Sequence, residues 1–238
     1  MKIAIRFIST LVLLSSASLL RADVLLQEDW SGFRDGEAPA DGWMVWSGKP
    51  EGSVGTVQVV EQGSAFGGSH AVRLQGQVEG SGAGPAVTKM FASPTAAPIV
   101  VKFDFFIPAS PGAGVLPTVT LIDSTKKAGL RFNLANPFIR PNHAPVIANQ
   151  SKQIDGDPIT PLNFDVWYHV EIRTLPAKDG GVEKYNVSVT PFDKDPVEVD
   201  GLELSSRLDD IGGIQIGWGS ANPNGAIYIA NLQVEEAR

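Results

Sequence analysis

The stretch Val101-Lys102-Phe103-Asp104-Phe105-Phe106-Ile107 decides the fold. Val101, Phe103, Phe105 and Ile107 alternate with Lys102, Asp104 and Phe106, a period of two that sets one apolar row on one side of an extended chain. The same period recurs outward from it. Val119 and Leu121 alternate with Thr118 and Thr120, and Leu130, Phe132 and Leu134 with Arg131 and Asn133. Tyr168, Val170 and Ile172 alternate with Trp167, His169 and Glu171, and Tyr185, Val187 and Val189 with Asn186, Ser188 and Thr190. Each is a half-buried strand, with its apolar side to a core and its polar side to solvent or a groove. No window of about twelve residues carries a 3.6-residue stripe. The best helical candidate, Leu202 to Asp210, allows one or two turns. The pattern predicts an all-β protein built as a two-sheet antiparallel sandwich.

The 25 glycines and 17 prolines fall in short clusters between these strands. Asp123 to Gly129 reads as one hairpin loop, and Lys178-Asp179-Gly180-Gly181 as another whose Asp-Gly step suits positive φ. Gly-rich 76–85 and the Pro/Ala-rich 92–98 read as loops, because no second apolar set matches either boundary. A proline-rich stretch of about 25 residues, from Asn136 to Pro161, shows little alternation, and loops of that length are often functional.

The chain starts with a different pattern. Lys2 and Arg6 precede an apolar run from Phe7 to Leu14, then Ser15, Ser16 and Ser18, then Leu20-Arg21-Ala22. This predicts a signal peptide over residues 1–22, cleaved before Asp23, and one domain over 23–238. The apolar run is too short for a membrane anchor of about 20 residues, so no membrane insertion is expected after cleavage. The expected destination is secreted or periplasmic. With no cysteine, lipid attachment, disulfides, thiolate metal sites and Cys nucleophiles are all excluded. The net charge is −7, and removing the three basic residues of the leader makes the remainder more acidic still. Nucleic acid is not an expected partner, because its binding relies on Lys and Arg neutralising phosphates.

Three segments carry a resemblance. Glu28-Asp29-Trp30-Ser31-Gly32-Phe33 is followed by Gly36, Pro39 and Gly42-Trp43-Met44-Val45. Asp165-Val166-Trp167-Tyr168-His169-Val170-Glu171-Ile172 has Tyr185-Asn186-Val187-Ser188-Val189 as its hairpin partner. Ile227-Tyr228-Ile229-Ala230-Asn231-Leu232-Gln233-Val234 comes last. In this order they resemble the concanavalin A-like lectin and glucanase superfamily, especially its laminin-G-like members in exported bacterial proteins. The resemblance implies a jelly-roll sandwich whose first and last strands pair, placing Leu25–Phe33 beside Ile227–Val234. It also implies core positions for Trp30 and Trp43. The fold hosts lectins, glycosidases, lyases and spacers, so it does not select a function. Members often carry Asp where Ala230 stands, beside the Asn matched by Asn231, and that acid helps hold a structural calcium. Ala230 cannot ligate, and a calcium would then need Glu28, Asp29 and backbone carbonyls to reach six or more oxygens. No other cofactor, and no metal site, is expected.

The superfamily's known enzymes show patterns this chain lacks. Its glucanases set two glutamates around an aspartate on one strand, whereas Glu171 stands alone and Glu235-Glu236 point to opposite faces. Its alginate lyases carry Gln-x-His and Tyr-x-Lys, whereas Gln150 and Tyr185 lack those partners. No Gly-x-Ser-x-Gly elbow accompanies His70, His143 and His169, and their spacing does not make a zinc site. No catalytic residue is therefore assigned. If 118–122 and 130–134 pair, Thr118, Thr120, Arg131 and Asn133 share one outward face, offering hydroxyl, guanidinium and amide groups to a sugar. Trp46, Trp218 or Phe138 would supply aromatic platforms. The candidate binding residues are Arg131, Asn133, Arg140, His143, His169 and Trp218, with a polysaccharide or other glycan as ligand. Two alternatives stay open: a hydrolase or lyase using Arg131, Asn133, Arg140, His143 and His169, and a structural module.

Overall fold

The computed structural model of the chain describes residues 23–46, 55–76, 84–109, 117–133, 148–149, 163–218 and 225–237. In chain order its strands are β1 (Val24–Glu28), β2 (Trp43–Trp46), β3 (Thr56–Val60), β4 (Ala71–Gly76), β5 (Ala86–Thr95), β6 (Ile99–Phe106) and β7 (Pro117–Ile122). There follow β8 (Ala128–Asn133), β9 (Ala148–Asn149), β10 (Trp167–Pro176), β11 (Val182–Pro191), β12 (Val197–Leu208), β13 (Ile211–Trp218) and β14 (Gly225–Glu236). They form two antiparallel sheets packed as a jelly-roll sandwich. The first sheet runs β12-β11-β10-β6-β14-β4-β3, with β1 also paired to β14. The second runs β2-β5-β13-β7-β8-β9.

The alternation of the sequence becomes the core. Val101, Phe103 and Phe105 of β6 face Tyr168, Val170 and Ile172 of β10 in register, and all six are buried. Val119 and Leu121 of β7, Leu130 and Phe132 of β8, and Ile214 and Ile216 of β13 supply the opposing layer. The terminal strands pair as expected: Leu26 lies opposite Val234, and Glu28 opposite Leu232. Pairing stops at Glu28, because Trp30 takes a positive φ of 64° and turns its side chain into the core.

Two expectations need correction. Leu202 to Asp210 is not helical: β12 runs to Leu208, and Leu202, Leu204 and Leu208 are buried beside β11. The spacing of these leucines fits either period, and pairing along β11 decides for the strand. The 92–98 segment is only partly a loop, because β5 continues to Thr95. Pro94 is accommodated in a bulge, where the register with β13 jumps between Ile211–Thr95 and Gly213–Met90. Most of the 136–161 stretch lies outside the described residues, but Ala148 and Asn149 pair with β8.

Tyr185 gives a first test. It is buried, and its hydroxyl meets no hydrogen-bond partner among the described residues. Burial pushes its phenol well above the ordinary value of 10.0. Burial likewise raises Tyr168, although its hydroxyl oxygen accepts the Asn163 amide at 2.7 Å. A phenol whose pKa is raised by folding favours the folded state below the ordinary value, and that contribution is lost as pH rises beyond it. Tyr185→Phe is expected to leave stability at neutral pH within about 1 kcal/mol of the parent or above it. The variant should lose less stability than the parent between pH 9 and 11, roughly the range of tyrosine titration, as read from urea midpoints.

Candidate functional site

The β7–β8 hairpin is set by its turn. Asp123 Oδ1 accepts the amides of Thr125 and Lys127, each at 2.8 Å, and the Thr125 hydroxyl at 2.7 Å. The Thr125 hydroxyl is the main cause holding this carboxyl below the ordinary range. Lys126 takes a positive φ of 70°, completing the reversal. The register that follows puts Thr118 opposite Asn133 and Thr120 opposite Arg131.

Pairing continues across the sheet. Thr120 faces Gln215 of β13, which faces Thr88 of β5, which faces Met44 of β2. Residues directly opposite one another share a face. One row therefore reads Met44, Thr88, Gln215, Thr120, Arg131. The next reads Trp46, Ala86, Gly217, Thr118, Asn133. Gln215 Nε2 donates to Thr88 Oγ1 at 3.2 Å, and Thr118 Oγ1 to the Gly217 carbonyl at 3.3 Å. A Cβ at Gly217 would collide with Ala86, so the middle of the second row has to stay flat. Trp46 is 51% exposed at one edge, and Arg131 is exposed on the far side. The described strand residues of this face include no carboxylate, although the chain as a whole is acidic. Thr118 and Thr120, expected on an open face, are buried, so the groups of these rows that can meet a polyol are the Gln215 amide, the Arg131 guanidinium, the half-buried Thr88 hydroxyl and the exposed Trp46 indole. Thr88, Gln215 and Met44 escaped the sequence reading, because the order β2-β5-β13-β7 does not follow chain order.

The structure does not bring every candidate together. His169 lies on β10 of the other sheet, so it faces out on the side of the sandwich opposite Arg131 and Asn133. Trp218 ends β13 opposite Pro117, next to the second row. Arg140 and His143 fall outside the described residues, as does Phe138. On its own face His169 has a partner that the sequence did not suggest. Its Nδ1 lies 2.7 Å from Oδ1 of Asp104, which is 1% exposed. Asn231 Nδ2 donates to the other Asp104 oxygen at 2.6 Å and to the Gly67 carbonyl at 2.8 Å. Asp104 and His169 are separated widely in sequence, and the β6–β10 register sets them opposite. An open depression of about 160 Å³ lies along this face, between Glu171 and Arg173 on one side and Glu198 and Asp200 on the other.

The residues named for a calcium, Glu28 and Asp29, hydrogen-bond the chain itself. Glu28 accepts the Trp30 amide on Oε1 at 3.0 Å and the Trp43 indole N–H on Oε2 at 3.1 Å. Asp29 Oδ1 accepts both the amide and the hydroxyl of Ser31, which hold its carboxyl below the ordinary range. Among the described residues, no group of three or more His, Asp or Glu is assembled for a metal ion.

No protein-family model and no curated protein sequence matches the chain. Solved structures do match in shape. An alginate lyase from Aplysia kurodai has a TM-score of 0.56 at 10% identity, covering 91% of this chain and 100% of its own. A carbohydrate esterase from the Shiga toxin-encoding bacteriophage phi24B has a TM-score of 0.55 at 10% identity, covering 92% and 100%. Lectin I from Ulex europaeus, solved with the methyl glycoside of α-L-fucose, has a TM-score of 0.51 at 14% identity, covering 84% and 94%. At these identities the likeness speaks for the fold alone. This chain has the concanavalin A-like lectin and glucanase fold.

Proposed function

We propose that this protein is an exported, non-catalytic carbohydrate-binding or adhesive protein, holding a glycan on the outer face of the sheet that contains β7 and β8. The observation that carries the reading is the pair of cross-strand rows ending in Arg131 and Trp46, with the exposed Gln215 amide between them and no described carboxylate. Sugar-binding neighbours on the same fold make a glycan a sensible ligand, and the leader over 1–22 supports export. Arg131 presents a planar fork suited to a carboxylate, and it pairs with none among the described residues. A glycan bearing carboxylates is therefore favoured over a neutral one.

Purified protein would be titrated with alginate, as a polyuronate, and with laminarin, as a neutral glucan. Binding to alginate is expected to weaken as salt rises, because an exposed ion pair is screened. Arg131→Ala is expected to lose about tenfold in affinity, the lower end for a charge-assisted hydrogen bond because the site is exposed. Trp46→Ala should weaken binding of any glycan that stacks there. Failure to bind any polysaccharide in a wider panel, or binding indifferent to both variants, would overturn this assignment. Release of oligosaccharides by the purified protein would overturn its non-catalytic part.

A further inference from the structure

The face around His169 carries groups that the Arg131 face does not use. Phe66 is 39% exposed and Phe192 43%, and their rings meet edge to face with centroids 5.7 Å apart. Phe66 also lies 5.7 Å from the His169 ring. Phe66 sits on a turn closed by the Gly67 amide on the Ser64 carbonyl at 3.1 Å, and Ser64 Oγ accepts the Phe66 amide at 3.1 Å. Asn231 pins this turn to the sheet through Gly67. The approach is close: a Cβ at Gly68 would come within 2.6 Å of Asn231 Oδ1. Asn231 stands at a bulge in β14 with a positive φ of 50°, which aims its amide at Asp104 as well.

One buried carboxylate thus fixes two things. It holds Nδ1 of His169, which leaves Nε2 as the ring nitrogen open to a ligand on the partly exposed ring. Through Asn231 it also holds the turn that carries Phe66. Pinning the turn requires Asp104, Asn231 and Gly67, but it does not require two exposed phenylalanines around an oriented imidazole. Exposed aromatic rings beside an oriented imidazole nitrogen suit a ligand with a C–H face and hydroxyls at its edge. A pyranose ring has both.

We propose that Phe66, Phe192 and His169 form a second glycan contact, on the side of the sandwich opposite Arg131, for a neutral pyranoside. The sugar's C–H face packs on the two phenylalanines, and one hydroxyl hydrogen-bonds Nε2 of His169. The inference rests on the reading of the protein as a glycan binder, but the two faces are tested separately. Two-bond proton–nitrogen NMR spectra of the imidazole would be recorded with methyl β-glucoside, methyl α-mannoside, methyl β-galactoside and laminarihexaose at millimolar concentration. At least one probe is expected to shift Nε2 of His169, equally in the parent and in Arg131→Ala. The shift should be lost in Phe66→Ala and in Phe192→Ala, whose exposed rings can be removed with the fold intact. No shift with any probe, or a shift that survives in both phenylalanine variants, overturns the proposal. So does a shift produced by a phenylalanine-rich peptide and by none of the sugars. If alginate still binds through Arg131 while these signals stay still, this inference falls and the first face stands.

Discussion

Trp30→Ala is expected to destabilise the protein by about 3–5 kcal/mol, the range for removing a buried tryptophan from a packed core. Trp30 is fully buried, with its ring centroid 5.0 Å from that of Trp43 and 6.2 Å from that of Phe33. Its position is fixed from both sides: its amide donates to Glu28, and the other oxygen of Glu28 takes the Trp43 indole. Glu28 belongs to β1 and Trp43 to β2, which lie in different sheets. The tryptophan pair therefore plugs the sandwich where the two sheets meet, and neighbours tied by hydrogen bonds cannot collapse into the space an alanine would leave. Alanine at the same positive φ pays no more backbone strain than tryptophan, so the difference isolates the lost packing. Trp30→Phe should cost much less, because among the described residues Trp30 Nε1 meets no hydrogen-bond partner that phenylalanine would forfeit. Urea unfolding of the three proteins gives the comparison. A loss below about 1 kcal/mol for alanine would mean that the segment after β1 does not close the core.

The strands were legible because each carries its own period. Val101 to Ile107 and Tyr168 to Ile172 alternate so strictly that their inner and outer faces follow from the sequence. The hairpin of Thr118, Thr120, Arg131 and Asn133 was legible too, since a short turn on Asp123 leaves little freedom of register. The remainder of that face was not, because Gln215, Thr88 and Met44 reach it through pairings between strands distant in sequence. Alternation tells that His169 points outward, but not from which sheet, so it does not separate His169 from Arg131. Asp104 hid in the same way. It reads as an ordinary outward polar residue, whereas the structure buries it against His169 and Asn231. The resemblance directed attention to Ala230 as a missing acid beside Asn231. Ala230 lies in register with Asp104, so an acid does stand next to Asn231, supplied by the neighbouring strand and turned toward a histidine.

That arrangement makes Asp104→Ala the second large effect, an expected loss of about 2–3 kcal/mol. The change strands Asn231 Nδ2, which keeps the Gly67 carbonyl alone, and it strands His169 Nδ1. The cost falls at the lower end for a broken buried pair, because the His169 side chain is 35% exposed and water reaches its ring. Asp104→Asn should cost less: its amide oxygen can still accept the Asn231 N–H, while its NH2 meets His169 Nδ1 without a clash only if the imidazole carries its proton on Nε2. His169→Ala should cost less than either, since it leaves the carboxylate with Asn231 still bound. The three variants then rank by which donors lose their acceptor rather than by volume removed. A double variant, Asp104→Ala with His169→Ala, should cost less than the two singles together, because the second change removes a group the first had already orphaned. Limited proteolysis adds a local measure. Cleavage within 64–68 is expected to accelerate in Asp104→Ala more than global stability accounts for, because the turn loses its tie to the sheet while the core strands on either side keep theirs. Equal protection of that turn in parent and variant, at matched stability, would separate Asp104 from the Phe66 turn and leave His169 oriented by the acid alone.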